Sequence, residues 1–253
     1  MLVAAAVCPE TPLLVPELAS GAAGETRELR EAASAAARAL LSTDPEVLVV
    51  AAGTPGKRSG RAAFGGSFRP YGVDLVVGAE ELASAELAQP AADDEWVEAN
   101  GPGLAVARWL VDTVRIDTAH ADLAVEAWAV GADADPADCA ALGARFAAAD
   151  RRIALLVMGD GSARRGEKAP GYVDERAVPF DEGVGAALAG ADAAALAGVD
   201  PELAARLMVA GRAAWQVLAG AVRADARRWS GELLHFCAPY GVGYFAAAWA
   251  PAG

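Results

Sequence analysis

Arg151-Arg-Ile-Ala-Leu-Leu-Val-Met158-Gly-Asp160 is the stretch on which the reading of the fold turns. After two arginines it runs apolar through Ile153–Met158 with no polar alternation, and then meets glycine and aspartate. A strand that is apolar at every position must be covered on both faces, so it belongs in the middle of a sheet with helices on either side. Leu2–Cys8 and Glu46–Ala52 carry the same signature. Helical patterns lie between these runs. Glu25–Leu41 places apolar residues at 29, 32, 33, 36, 37, 40 and 41, which is one face of a helix. Leu104–Val114, Pro136–Ala149 behind the cap Asp135, Phe180–Leu196, and Pro201–Trp229 behind Asp200 also read as helices, with proline at the first helical position in the second and the last. Val73–Val77 and Leu123–Val130 read as further strands. This alternation specifies an α/β fold: a single domain over residues 1–253, with a mixed, mostly parallel sheet and helices on both faces. Leu233–Cys237 and Val242–Trp249, joined at Pro239-Tyr240-Gly241, are too close for a helical crossover, so they form a C-terminal antiparallel hairpin.

Composition narrows the class of partner. The 253 residues carry a net charge of −13. A duplex nucleic acid needs a basic face, and an anionic membrane surface needs one too, so neither is an expected partner. No apolar run reaches the roughly 18–20 residues of a membrane span. The first residues flow straight into Pro9-Glu10-Thr11-Pro12 without a basic leader, which reads as a strand and places the protein in the cytoplasm. Cys8, Cys139 and Cys237 have no CxxC spacing and read as small hydrophobes. The expected partner is a small molecule, anionic or aromatic, and a homodimer is compatible with the sequence.

In open α/β sheets, ligands gather at the loops leaving the carboxyl ends of strands. Three such loops carry unusual residues. In Cys8-Pro-Glu10-Thr-Pro12, Glu10 is either a solvated loop residue or a carboxylate aimed into a cleft as base, acceptor or ligand. In Gly159–Tyr172, Asp160 and Ser162 stand at the strand end, and Arg164, Arg165 and Lys168 cluster three cations. These form either an anion clamp or a structural network with Glu167, Asp174, Glu175 and Asp181. The third loop follows His235 and Cys237, which share a strand face, and holds Tyr240. The other histidine, His120, precedes a strand in an acidic stretch. Neither GxxxxGK[ST] nor a GxGxxG after a strand occurs, and there is no GxSxG elbow.

The opening Cys8-Pro-Glu-Thr-Pro-Leu-Leu-Val-Pro16, Phe64-Gly-Gly-Ser-Phe-Arg-Pro-Tyr-Gly-Val-Asp74, Gly159-Asp-Gly-Ser-Ala-Arg-Arg165 with Ala169-Pro-Gly-Tyr172, and Ala238-Pro-Tyr-Gly-Val-Gly-Tyr-Phe245 resemble an actinobacterial branch of the class III extradiol ring-cleavage dioxygenase-like family, which is distantly Memo-like. The resemblance spans almost the whole chain and implies a mixed-sheet α/β domain with its site at these loops. It also implies oxidoreductase chemistry in which iron(II), held by two histidines and a carboxylate, opens catechol-type rings. The chain departs from that pattern at the ligand positions. Glu10 stands where the family's first ligand histidine follows the first strand, and Ala51-Ala-Gly-Thr-Pro55 holds no second one. Ser162, Ala163 and Arg164 occupy the stretch of the acid–base histidine, while His120 looks like the remaining active-site histidine. The expectation is therefore a metal-free descendant without a cofactor, with Glu10, Asp160, Ser162, Arg164 and His120 lining one pocket. The alternatives are an active iron(II) extradiol dioxygenase, or a metal-independent enzyme using Glu10 and His120 as acid and base.

Overall fold

The computed structural model describes residues 1–56, 59–84, 101–115, 120 and 122–253. Its strands are β1 (Leu2–Cys8), β2 (Val47–Thr54), β3 (Gly60–Ala62), β4 (Gly66–Ser67), β5 (Val76–Val77), β6 (Ala124–Gly131), β7 (Ile153–Met158), β8 (Trp229–Cys237) and β9 (Tyr244–Pro251). Its helices are α1 (Pro16–Ala19), α2 (Arg27–Leu41), α3 (Ala79–Ser84), α4 (Gly103–Arg115), α5 (Pro136–Ala147), α6 (Ala177–Ala189), α7 (Ala193–Ala197), α8 (Pro201–Arg206) and α9 (Arg212–Ala224). Seven strands form one sheet in the order β3-β6-β2-β7-β1-β9-β8. The four middle strands, β6-β2-β7-β1, are parallel. β3 closes one edge antiparallel to β6, and the β9-β8 hairpin closes the other. Every residue of β1, β2 and β7 is buried, as their unbroken apolar runs require.

Alternate residues of these strands feed two cores. Ala5, Val49, Leu155 and Val157 face α5, α6 and α9 on one side. Ala6, Val50, Leu156 and Met158 face α2 and α4 on the other. α5 and α9 approach so closely that an added β-carbon at Gly220 would lie 2.3 Å from the Ala140 carbonyl oxygen. At the carboxyl end of β6, buried Arg212 donates to the carbonyls of Ala132 and Ala134 and to Gln216 Oε1. Gln216 in turn donates to Ala197 and Val199. This network ties α9 to the end of the sheet without a carboxylate partner.

Several elements differ from the sequence expectations for physical reasons. The strand expected at 73–77 is reduced to β5, which pairs with β4 in a ribbon outside the main sheet. β3, within a glycine- and arginine-rich stretch expected as loop, pairs with β6 through only three residues, too few to show periodicity. The helix expected over 201–229 ends after Arg206 and restarts at Arg212, and β8 begins at Trp229. The break is a Schellman turn: Val209 N donates to Ala204 O and Met208 N to Ala205 O, with Met208 at φ 55°. The helix expected over 180–196 divides at Gly190-Ala191, where Ala191 has φ 51°. Residues 79–102 read from the sequence as acidic and irregular; Ala79–Ser84 instead forms α3, and residues 85–100 lie outside the described residues.

Gly220→Ala forces α5 and α9 apart and should cost about 1–3 kcal/mol. Gly183→Ala, on the exposed face of α6 with open space around it, should leave stability unchanged or raise it by about 0.5–1 kcal/mol. Urea melts of the two variants check the pair.

Candidate functional site

β1 and β7 run parallel in a register that pairs Cys8 with Met158, and Gly159 N continues the ladder to Cys8 O. Pro9 has no amide hydrogen to extend it. Two residues beyond each strand end, Glu10 and Asp160 therefore meet: Glu10 N donates to Asp160 Oδ1 at 2.9 Å, and Thr11 N also bonds that carboxylate. β2, in register with β7 through Ala52 and Met158, brings Gly53, whose amide donates to the Glu10 carboxylate. α4 abuts the same side chain from the other core. A β-carbon at Gly103, its first residue, would lie 2.9 Å from Glu10 Oε2, so only glycine leaves room for the carboxyl.

The pair is electrostatically strained. Glu10 is buried, and its Oε2 has no hydrogen-bond partner. Burial pushes the Glu10 acid well above the usual carboxylate range. The neighbouring Asp160 charge adds to this, and the Gly53 amide only partly opposes it. Asp160 is pushed up to about 7, chiefly by burial and against the Glu10 and Thr11 amides. Two aromatic hydroxyls attend the site. Tyr244, at the start of β9, hydrogen-bonds Thr11, and its phenol is pushed up by burial and then by the charge of nearby Asp160. Tyr71, 44% exposed, is raised by its own burial and by the charge of Glu10. A buried carboxyl whose acid is raised well above its usual range, beside a second one raised to about 7, can give a proton to a bound molecule or take one from it.

The residues expected to share this pocket do not all reach it. His120 lies at the opposite, amino end of the sheet: its carbonyl accepts from Leu123 N just before β6, and its Nε2 is 3.9 Å from Asp44 Oδ1, just before β2. His120 precedes β6 and Glu10 follows β1, which runs parallel to it with β2 and β7 between them, so the two lie at opposite ends of the sheet and the expected pairing does not form. Ser162 is fully buried and structural. Its amide donates to Asp181 Oδ1, and its hydroxyl donates to Leu207 O and accepts from Arg164 N.

The three cations of the 159–172 loop separate. Arg165 is pinned to the fully buried Asp181 (3.0 Å) and lies over the Phe236 ring, so it holds the loop down on α6 and β8. Arg164 lines a separate depression, formed by the 164–173 loop and Met208, that contains neither Glu10 nor Asp160. Lys168 is exposed, with no ion pair among the described residues. His235 sits on the edge strand β8 opposite Ala246, half-buried, on the same side as Cys237. Tyr240, at φ 59° in the hairpin turn, donates to Glu25 Oε2 at 2.8 Å and latches the turn to the segment before α2. The sequence reading did not single out Thr11, Tyr71 and Tyr244, although all three lie in the stretches it quoted; Gly103 left no signal at all.

No family model matches the chain, and none of the curated proteins does. Among solved structures, the crystal structure of an uncharacterized protein from Escherichia coli K12 is similar to it over 98% of this chain and 99% of that one, with a TM-score of 0.51 and 14% identity. At that identity the likeness carries the mixed α/β fold and nothing about chemistry.

Two outcomes are expected. Arg165→Ala leaves the Asp181 carboxylate buried without its cation and should cost about 3–5 kcal/mol in denaturant melts, whereas Arg164→Ala should stay within about 1 kcal/mol of the parent. Asp160 binds its proton more tightly in the folded state than in the unfolded one, because its acid is raised from 3.8 to about 7. Its contribution to stability is thus full below pH 4 and is lost as pH rises through 7. Asp160→Asn should remove that part of the decline when melts are compared from pH 4 to 8.

Proposed function

We propose that the chain binds a small polar molecule over the Glu10–Asp160 pair and exchanges a proton with it, as a metal-independent descendant of the dioxygenase-like fold that its sequence resembles. The observation that carries this reading is the pair itself: a buried carboxyl with an unpartnered oxygen, hydrogen-bonded through its own backbone to a second carboxyl raised to about 7. A buried acid that served packing alone would have all its oxygens satisfied. With Asp160 in place of the distant His120, the acid–base pair becomes Glu10 and Asp160, which titrate together. Tyr71 supplies a half-exposed ring at the rim, suited to a flat ligand.

The iron centre implied by the resemblance does not fit these residues. It needs two imidazoles and a carboxylate at one point, and the chain has only two histidines. His120 precedes β6 at the amino end of the sheet, and His235 lies near the carboxyl end of β8 on the far edge. Among the described residues no three His, Cys, Asp or Glu side chains converge. The same described residues include no helix long and apolar enough to cross a membrane.

The test uses catechol, phenol and benzylamine as probes with wild type, Glu10→Gln and Asp160→Asn. Binding or turnover by wild type should follow a single ionisation near pH 7. Asp160→Asn should abolish that dependence, and Glu10→Gln should weaken the response at all pH values. Elemental analysis after iron-replete expression should give far less than one iron per chain. A full equivalent of iron with catechol cleavage, or probe binding indifferent to both substitutions, would overturn the reading.

A further inference from the structure

We propose that the depression beside Arg164 is a second ligand site, built for a flat aromatic monocarboxylate and independent of the Glu10–Asp160 pair. It has a volume of about 730 Å³, and Arg164, Glu167, Pro170, Tyr172, Val173 and Met208 form its walls.

The first observation is an underused guanidinium. Arginine presents five N–H donors in a planar fork. In Arg164 the Nε is shut off from solvent with no partner, and the only bond made by the fork is a long 3.5 Å contact from Nη1 to Tyr172 O. Asp174, close enough to feel the Arg164 charge, is already held by Arg176 through two bonds of 2.9 and 2.6 Å. Neighbouring Arg165 shows what satisfaction looks like, since Asp181 neutralises it at 3.0 Å. Two adjacent arginines on one loop thus have different fates: Arg165 is paired with buried Asp181, whereas Arg164 forms no ion pair among the described residues.

The second observation is an apolar wall kept in place against local preference. Tyr172 is 90% exposed, Val173 59% and Met208 45%. Met208 occupies the left-handed position of the Schellman turn after α8, at φ 55°, where glycine carries no penalty and a side chain does. The strained backbone aims the Met208 thioether at the loop: a β-carbon on Gly171 would lie 2.8 Å from both Met208 Sδ and Arg164 Cγ. The turn would form more easily with glycine, so the methionine side chain answers to something other than the turn. Together these features place an adaptable thioether and an exposed phenol around a guanidinium that forms no ion pair among the described residues.

The charges select the ligand. One fork matches one carboxylate in bidentate fashion. Glu167, exposed on the same rim, repels a second negative charge, so a monocarboxylate is preferred over a phosphate dianion. Tyr172, Val173 and Met208 then cover the face of an aromatic ring, which an aliphatic acid would not fill.

Isothermal titration with benzoate, acetate, inorganic phosphate and cyclohexylamine tests the proposal. Benzoate should bind saturably at millimolar concentration, and the other three more weakly. Arg164→Lys keeps the charge but loses the fork, and should weaken benzoate about tenfold or more. Met208→Gly relieves the turn, so its melting temperature should hold or rise while benzoate binding falls several-fold. That opposed pair of signs separates loss of a site from loss of folding. Asp160→Asn should leave benzoate binding unchanged, which keeps this result distinct from the outcome at the Glu10–Asp160 pair. Benzoate binding that is absent, or equal in wild type, Arg164→Lys and Met208→Gly, would overturn the proposal, as would phosphate binding tighter than benzoate.

Discussion

Keeping β7 dry on both faces is the constraint that organises this molecule. All six of its residues are buried and apolar, so each side chain must find cover above or below the sheet. Fully buried Leu155 and Val157 require the core built by α5, α6 and α9, and Leu156 and Met158 require the one built by α2 and α4. Parallel neighbours on both sides then satisfy its backbone. This arrangement also fixes where polar chemistry can occur. A strand with no polar side chain can offer one only where it stops, and β7 stops at Gly159-Asp160, next to the end of β1 and against that of β2.

The acidic chain uses its few cations sparingly and mostly for structure. Arg212 caps carbonyls at the end of β6, Arg165 neutralises the buried Asp181, and Arg176 clamps Asp174. Of these, Arg165 would be the most costly to remove, because its partner Asp181 is fully buried. Among the described residues the Glu10–Asp160 pair has no such cation. Both acids are held up by burial, Glu10 also by the Asp160 charge, and backbone amides oppose this. A site of that kind stores free energy that a bound molecule can release by supplying a proton acceptor, a donor or a positive charge.

Two of the non-glycine residues with left-handed backbone angles, Met208 and Tyr240, flank the 159–172 loop. Met208 follows the helix whose end packs against the 159–172 loop through the hydrogen bond from Ala163 N to Leu207 O. Tyr240 turns the hairpin whose Gly241 carbonyl accepts from Arg165 N. The loop is thus held from below by Asp181 and from both sides by strained turns. Its outer segment, from Gly166 to Tyr172, faces the depression beside Arg164.

The sequence by itself determined the sheet's centre. Unbroken apolar runs at Leu2–Cys8, Val47–Ala52 and Ile153–Met158 admit no environment except double cover, and proline, aspartate and glycine marked where most elements begin. It also pointed to Glu10 and Asp160, because both follow such runs directly, and it limited any two-histidine site by supplying only His120 and His235. It could not determine register or sheet order, and those decided the site. Glu10 meets Asp160 because Cys8 pairs with Met158, whereas His120 is lost to the site because it precedes its strand. Three-residue β3 and the left-handed break at Met208 lay below the length over which periodicity can speak. The fates of Arg164 and Arg165 diverge for a similar reason: adjacent side chains on a loop point in different directions, and only the tertiary fold brings Asp181 beneath one of them.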